Sequence, residues 1–188
     1  MNAITQITAA QDGQRKAAAT LLWNQQRGKL IDAFTRSEFA VTQTLQFLAS
    51  IEARGADIKI NPNLQGRFTQ LLKLFASAGA FAPEGKTISA PLQAMSDSIC
   101  LRNMLCHGRT TMYHDDAGRW IVQLELLTVI KARAEPRETL LTQDQVKRTL
   151  KELTTLSADT VCRLDELRKN LAAAKSITPS APAAQASR

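Results

Sequence analysis

Aromatic residues are scarce in this chain, at 5% of the sequence, and so are glycine (8), proline (6), cysteine (3) and histidine (2). Each shortage excludes something. With few aromatics, the core must rest on leucine, alanine, isoleucine and valine. With little glycine and proline, most of it between periodic segments, the chain has few turn signals, which favours long helices over many short strands. Three cysteines, Cys100, Cys106 and Cys162, form neither an even set nor a C-x-x-C pair, so neither a disulfide framework nor a zinc site is expected. Unpaired thiols fit a reduced, cytoplasmic setting. The N-terminus lacks the basic and apolar runs of a signal peptide, and no stretch approaches the roughly 18 apolar residues that span a bilayer. No metal cluster or cofactor motif is present.

What remains is enough for a core: 44% of the 188 residues are apolar, which suits one domain with frayed ends. The net charge is +7. That balance suits an anionic partner such as RNA, DNA or a nucleotide, although the basic residues are spread out rather than clustered.

Along the chain, residues 1–12 read as a flexible N-terminus and 176–188, rich in alanine, proline and serine, as a disordered tail. Between them the apolar spacing predicts a helix from about Gln14 to Ala53, kinked or broken at Gly28 and ended at Gly55. Its apolar line is Ile31, Phe34, Val41, Leu45 and Leu48, with Glu38 intruding on that line. A second helix starts at Asn61-Pro62 and carries Leu64, Phe68, Leu71, Leu72 and Phe75. A third, capped by Ser89, runs from Pro91 to His107 and stops at Gly108. The period then changes. Thr110–Tyr113 and Arg119–Ile130 alternate as a β-hairpin around 110–130, and Pro136 closes that section. Thr142 and Gln145 form a capping box for a final helix lined by Val146, Leu150, Leu153, Val161, Leu164, Leu167 and Leu171. The expected fold is mainly all-α: an up-and-down bundle of four to five helices with a small inserted β-hairpin.

Chemistry points to the helix ending Arg102-Asn103-Met104-Leu105-Cys106-His107-Gly108. Its stripe is Leu92, Met95, Ile99, Arg102 and Cys106, so an arginine stands where an apolar residue is expected. A buried guanidinium without a partner is very costly. Glu38 shows the matching anomaly, and the two are expected to face each other. His107 shares a face with Asn103, one turn away, but lies about 140° around an ideal helix from Arg102. Termination at Gly108, or a second copy of the helix, allows Arg102 and His107 to converge. Arginine stabilises charge on a phosphate and histidine moves protons near neutral pH. RNA supplies its own nucleophile, the 2′-hydroxyl, so such a site needs no metal.

This arrangement of residues resembles the HEPN superfamily, whose motif is an arginine, four to six residues and then a histidine, commonly with a polar residue after the arginine. Arg102, Asn103 and His107 match those three places with a four-residue gap, and the likeness extends over roughly residues 14–174. It implies a HEPN-like helical domain over 13–175 and a homodimer whose paired motif helices form a composite cleft that cuts RNA. It also implies a toxin or phage-defence role, with a protein antitoxin or defence partner. Relatives that have lost activity serve as RNA-binding or protein-interaction scaffolds. Relatives paired with a nucleotidyltransferase carry a tyrosine two residues after the histidine; here that residue is Arg109, which disfavours that subtype.

Plainer readings stand beside these. Arg102 and His107 also suit a structural polar network at a helix end, and Glu38 suits a structural partner better than a catalyst. Arg109 is placed either to contact an RNA phosphate or to sit in solvent. His114, beside Asp115-Asp116, reads as a solvated turn residue. A Cys106/His107 nucleophile pair is disfavoured because helix neighbours diverge by about 100°. Trp23 and Trp120 read as core or interface residues rather than base-stacking platforms.

Overall fold

A computed structural model describes residues 3–115, 118–130 and 133–177. The chain is mainly helical with a small three-stranded antiparallel sheet. The first helix, α1, spans Ala3–Ala49 without interruption. The helix is not broken at Gly28. A lone glycine costs a helix only about 1 kcal/mol, and buried Trp23 and Leu30 anchor the turns on both sides. The helix already begins inside the segment read as a flexible terminus. It ends at Ala49, before Gly55, which instead sits where a Cβ would fall 1.9 Å from the Leu48 carbonyl oxygen.

The helix α2 spans Leu64–Phe75. Its cap is Asn63, whose side-chain oxygen accepts from the Gly66 N–H at 2.6 Å, so Pro62 precedes the cap rather than opening the helix. A single turn, α3, covers Ala82–Gly85. The expected helix 91–107 is two helices, α4 (Ser89–Asp97) and α5 (Ile99–His107), which part at Ser98. Ser89 does not cap α4. Its hydroxyl donates back to the Gly85 carbonyl at 2.8 Å. The buried residues of α5 are Ile99, Met104 and Leu105, whereas Arg102 and Cys106 are half-buried.

The sheet contains β1 (Arg109–His114), β2 (Trp120–Ile130) and β3 (Arg133–Thr142), in that order. Trp120, Val122 and Leu124 point into the core, following the expected alternation. The third strand is a correction, since Pro136 had marked the end of the section. Proline removes a ladder donor, which an edge strand tolerates, and here Pro136 faces Leu127 on edge strand β3. His114 closes β1 opposite Trp120 and is half-buried, rather than standing free in the turn. Trp23 and Trp120 are both buried and meet edge to face, with ring centroids 6.2 Å apart.

The last helix, α6, spans Gln143–Ile177. Its capping box is reciprocal: the Thr142 N–H donates to Gln145 Oε1 at 2.8 Å, and the Gln145 N–H donates to Thr142 Oγ1 at 3.2 Å. Residues from 178 onward, including most of the expected tail, lie outside the described residues. Helices α1 and α6 form the spine. They run in the same direction: Ser157 meets Ala33 and Ser37, and Arg168 meets Ala40 and Thr44 further along both helices. Up-and-down neighbours would be antiparallel, so this pair departs from the expected order. The buried seam of α1 includes Ala33, Ser37, Ala40 and Thr44, whose small side chains permit close approach. The Ser157 hydroxyl donates to the Ala33 carbonyl at 2.7 Å and accepts from Ser37 at 2.9 Å, so these buried hydroxyls are satisfied.

Candidate functional site

The end of α5 is built by three local devices. Gly108 turns the chain from helix into β1 with φ −79° and ψ 151°, and its N–H bonds to the Met104 carbonyl. A Cβ there would lie 2.4 Å from the Met104 oxygen and 2.9 Å from the Glu125 oxygen, so the tight passage requires glycine. Arg27 of α1 caps the helix from the side. Its Nε donates to the Leu105 carbonyl at 2.7 Å and its Nη2 donates to the same oxygen. One of the carbonyls that a helix end leaves without a partner is thereby satisfied by a charged donor.

Arg102 lies at the centre. Its Nη2 is 3.5 Å from Glu38 Oε2, and its Nη1 lies 3.3 Å from Asn103 Oδ1 and 3.4 Å from His107 Nε2. The facing of Glu38 and Arg102 expected from their stripes is therefore present, and the 140° offset between Arg102 and His107 is spanned by the long arginine side chain. A guanidinium N–H can only donate, so this contact uses Nε2 as an acceptor. His107 is exposed, whereas Arg102 has a side-chain exposure of 23%.

Glu38 is shared. Its Oε1 pairs with Arg67 Nη2, and Arg67 Nη1 donates to the Pro62 carbonyl at 3.1 Å. Two guanidiniums around one carboxylate leave a net charge of +1 in a half-buried cluster beside His107. The sequence reading missed both Arg67 and Arg27. Arg67 borders the apolar face of α2, three residues after Leu64 and four before Leu71, with a side-chain exposure of 15%, and a further signal is that a carboxylate in an apolar stripe has two oxygens to satisfy.

Arg109 stands apart from this cluster. It is largely exposed, and its Nε is 3.6 Å from Glu125 Oε2. His107 and Arg109 share a cleft of about 520 Å³ with Glu125, Leu126, Leu127, Pro136, Arg137 and Glu138. Cys106 is half-buried and free; Cys100 accepts from Arg137 Nη1 at 3.2 Å. Among the described residues there is no group of three or more histidine, cysteine, aspartate or glutamate side chains that could hold a metal ion. Among the same residues no helix is long and apolar enough to cross a membrane. No protein-family model, curated protein or solved structure matches this chain.

Proposed function

We propose that this protein is a metal-independent endoribonuclease of HEPN type, cutting RNA by 2′-hydroxyl attack in the cytoplasm. The observation that carries the reading is the placing of Arg102 Nη1 within 3.4 Å of His107 Nε2 at an exposed helix end, with Glu38 behind the arginine. Their roles follow from chemistry. His107 takes the 2′-hydroxyl proton or returns one to the leaving 5′-oxygen. Arg102 holds the scissile phosphate and stabilises the charge that builds on its oxygens. Asn103 positions the arginine or the phosphate. Glu38 and Arg67 fix the guanidinium plane, and their cluster keeps one positive charge for the anion. A phosphate entering between Arg102 and His107 would replace their mutual contact with its own. Arg109, at the rim, suits a neighbouring phosphate.

The site is open on one side. A homodimer that opposes two α5 ends would close it into a composite cleft, supplying one histidine as base and the other as acid. A toxin or phage-defence role with a neutralising protein partner belongs to the same reading. The competing reading is a catalytically inactive HEPN-like dimer that binds RNA or a protein. The ion pair of Arg102 with Glu38 favours it to the extent that Arg102 stays committed to that carboxylate. An oligoribonucleotide with a single 2′-deoxy substitution at a mapped cut site separates the two. The nuclease reading expects loss of that cut while cuts elsewhere persist. The scaffold reading expects salt-sensitive binding with no cuts in either oligonucleotide.

A further inference from the structure

We propose that the cleft beside His107 is a nucleobase subsite that selects bases bearing an exocyclic amino group, cytosine, adenine or guanine, over uracil. The inference rests on the ribonuclease reading for its substrate and goes beyond it in assigning specificity. The sheet register builds the subsite. On the outer face Arg109, Glu125 and Glu138 stand in one row across the three strands. The next row holds Leu127 opposite Pro136. His107, at the end of α5 two residues before β1, borders the same cleft as Leu127. The cleft contains all of these residues, and its volume of about 520 Å³ has room for a nucleobase with its ribose.

The lining divides by chemistry. Leu127 is 71% exposed despite being apolar. Together with Pro136 it offers a flat apolar floor on which a base can lie. Glu125 and Glu138 are direct cross-strand partners on the same face. Like charges in that position destabilise a sheet. Arg109 and Gln123 contact Glu125, at 3.6 and 3.3 Å, whereas Glu138 has no side-chain partner among the described residues. Arg109 offsets Glu125, so the repulsion of a phosphate is centred on Glu138 at the far side of the cleft, and the RNA backbone is left to the Arg109 edge. Both carboxylates accept hydrogen bonds from an amino group, as acidic side chains do from cytosine N4. Uracil presents a carbonyl oxygen at that edge, which a carboxylate rejects. A base on the Leu127–Pro136 floor would thus turn its amino edge toward the glutamates and its ribose toward His107.

The test uses the full-length protein with end-labelled oligouridylate carrying a single cytidine, and with all-uridine and all-cytidine oligomers of the same length. Cuts are expected within one nucleotide of the cytidine, with the all-uridine oligomer cut at least about tenfold more slowly than the all-cytidine one. Glu138→Gln, at an exposed side chain without a partner, should bring the two rates within about threefold, and Glu125→Gln/Glu138→Gln should abolish the preference. Equal cutting of the two homopolymers by the unaltered protein overturns the subsite, as does a preference that survives in the double variant. If neither homopolymer is cut, the ribonuclease reading fails separately. The subsite is then read by fluorescence anisotropy with the same oligomers, where tighter cytidylate binding lost in Glu138→Gln supports it and equal binding overturns it.

Discussion

Replacing Glu38 with glutamine isolates the charge that the site is built around. The side chain keeps its shape but loses its charge, leaving the guanidiniums of Arg67 and Arg102 facing a neutral amide. Removing one partner from a fully buried ion pair costs about 3–5 kcal/mol. An exposed pair contributes about 0–1 kcal/mol. The side-chain exposures here, 26% for Glu38, 15% for Arg67 and 23% for Arg102, lie between those limits. A loss of about 2 kcal/mol follows. Such a loss lowers the thermal midpoint by about 4–8 °C in a chain of this size. It moves the urea midpoint down by about 1 M for a slope of about 2 kcal/mol per molar. Thermal and urea unfolding followed by circular dichroism read both shifts. The companion Arg67→Met should be less harmful in the Glu38→Gln background than alone, because a double-mutant cycle separates pairing from local packing. A midpoint shift under about 1 °C with no coupling in the cycle would refute the claim that Glu38 organises the two arginines.

Further expectations concern the two glycines and the exposed thiol. Gly28→Ala should raise stability by up to about 1 kcal/mol, since the position is helical and an added Cβ meets nothing within 4 Å; a fall in thermal midpoint would show that α1 bends there. Gly108→Ala should lower stability by about 2 kcal/mol or more, because the new Cβ meets the Met104 and Glu125 carbonyl oxygens at 2.4 and 2.9 Å; an unchanged urea midpoint would contradict that passage. The Glu166 carboxylate beside Cys162 holds its thiol above the usual range, with slight desolvation and the further charges of Asp159 and Asp165 adding to the effect. A raised thiol pKa lowers the thiolate fraction at every pH below it. Alkylation of Cys162 at pH 8 should therefore be slow and should speed up severalfold in Glu166→Gln, with equal rates in the two proteins counting against the electrostatic cause.

The features legible in the sequence are those set by local pattern. Trp120, Val122 and Leu124 alternate against polar neighbours, and the sheet keeps that alternation. Thr142 and Gln145 carry a capping box because its bonds close within four residues. Glu38 and Arg102 stood out because each interrupts an apolar line, and a buried charge demands a partner. The features that escaped depend on tertiary context. The α1–α6 seam uses Ser37, Thr44 and Ser157, which read as surface residues until Ser37 and Ser157 bond each other and Thr44 accepts from Arg168 across the interface. Pro136 ends a strand in isolation, but at a sheet edge its missing donor costs little. The division of α4 from α5 at Ser98 has no glycine or proline to announce it. Arg27 and Arg67 each fall on an apolar spacing, Trp23–Arg27–Leu30 and Leu64–Arg67–Leu71, but their partners, the Leu105 carbonyl and the Glu38 carboxylate, are far away in sequence, so local spacing does not name them.

The central claim is that Arg102 and His107 cleave RNA without a metal. Its most direct test is single-stranded RNA incubated in EDTA with the unaltered protein and with His107→Ala side by side, with the product ends analysed. The account predicts fragments ending in 2′,3′-cyclic phosphate from the unaltered protein and a loss of at least about a hundredfold in the variant, the lower range for a general acid or base. Undiminished cleavage by His107→Ala, or none by either protein, would contradict it.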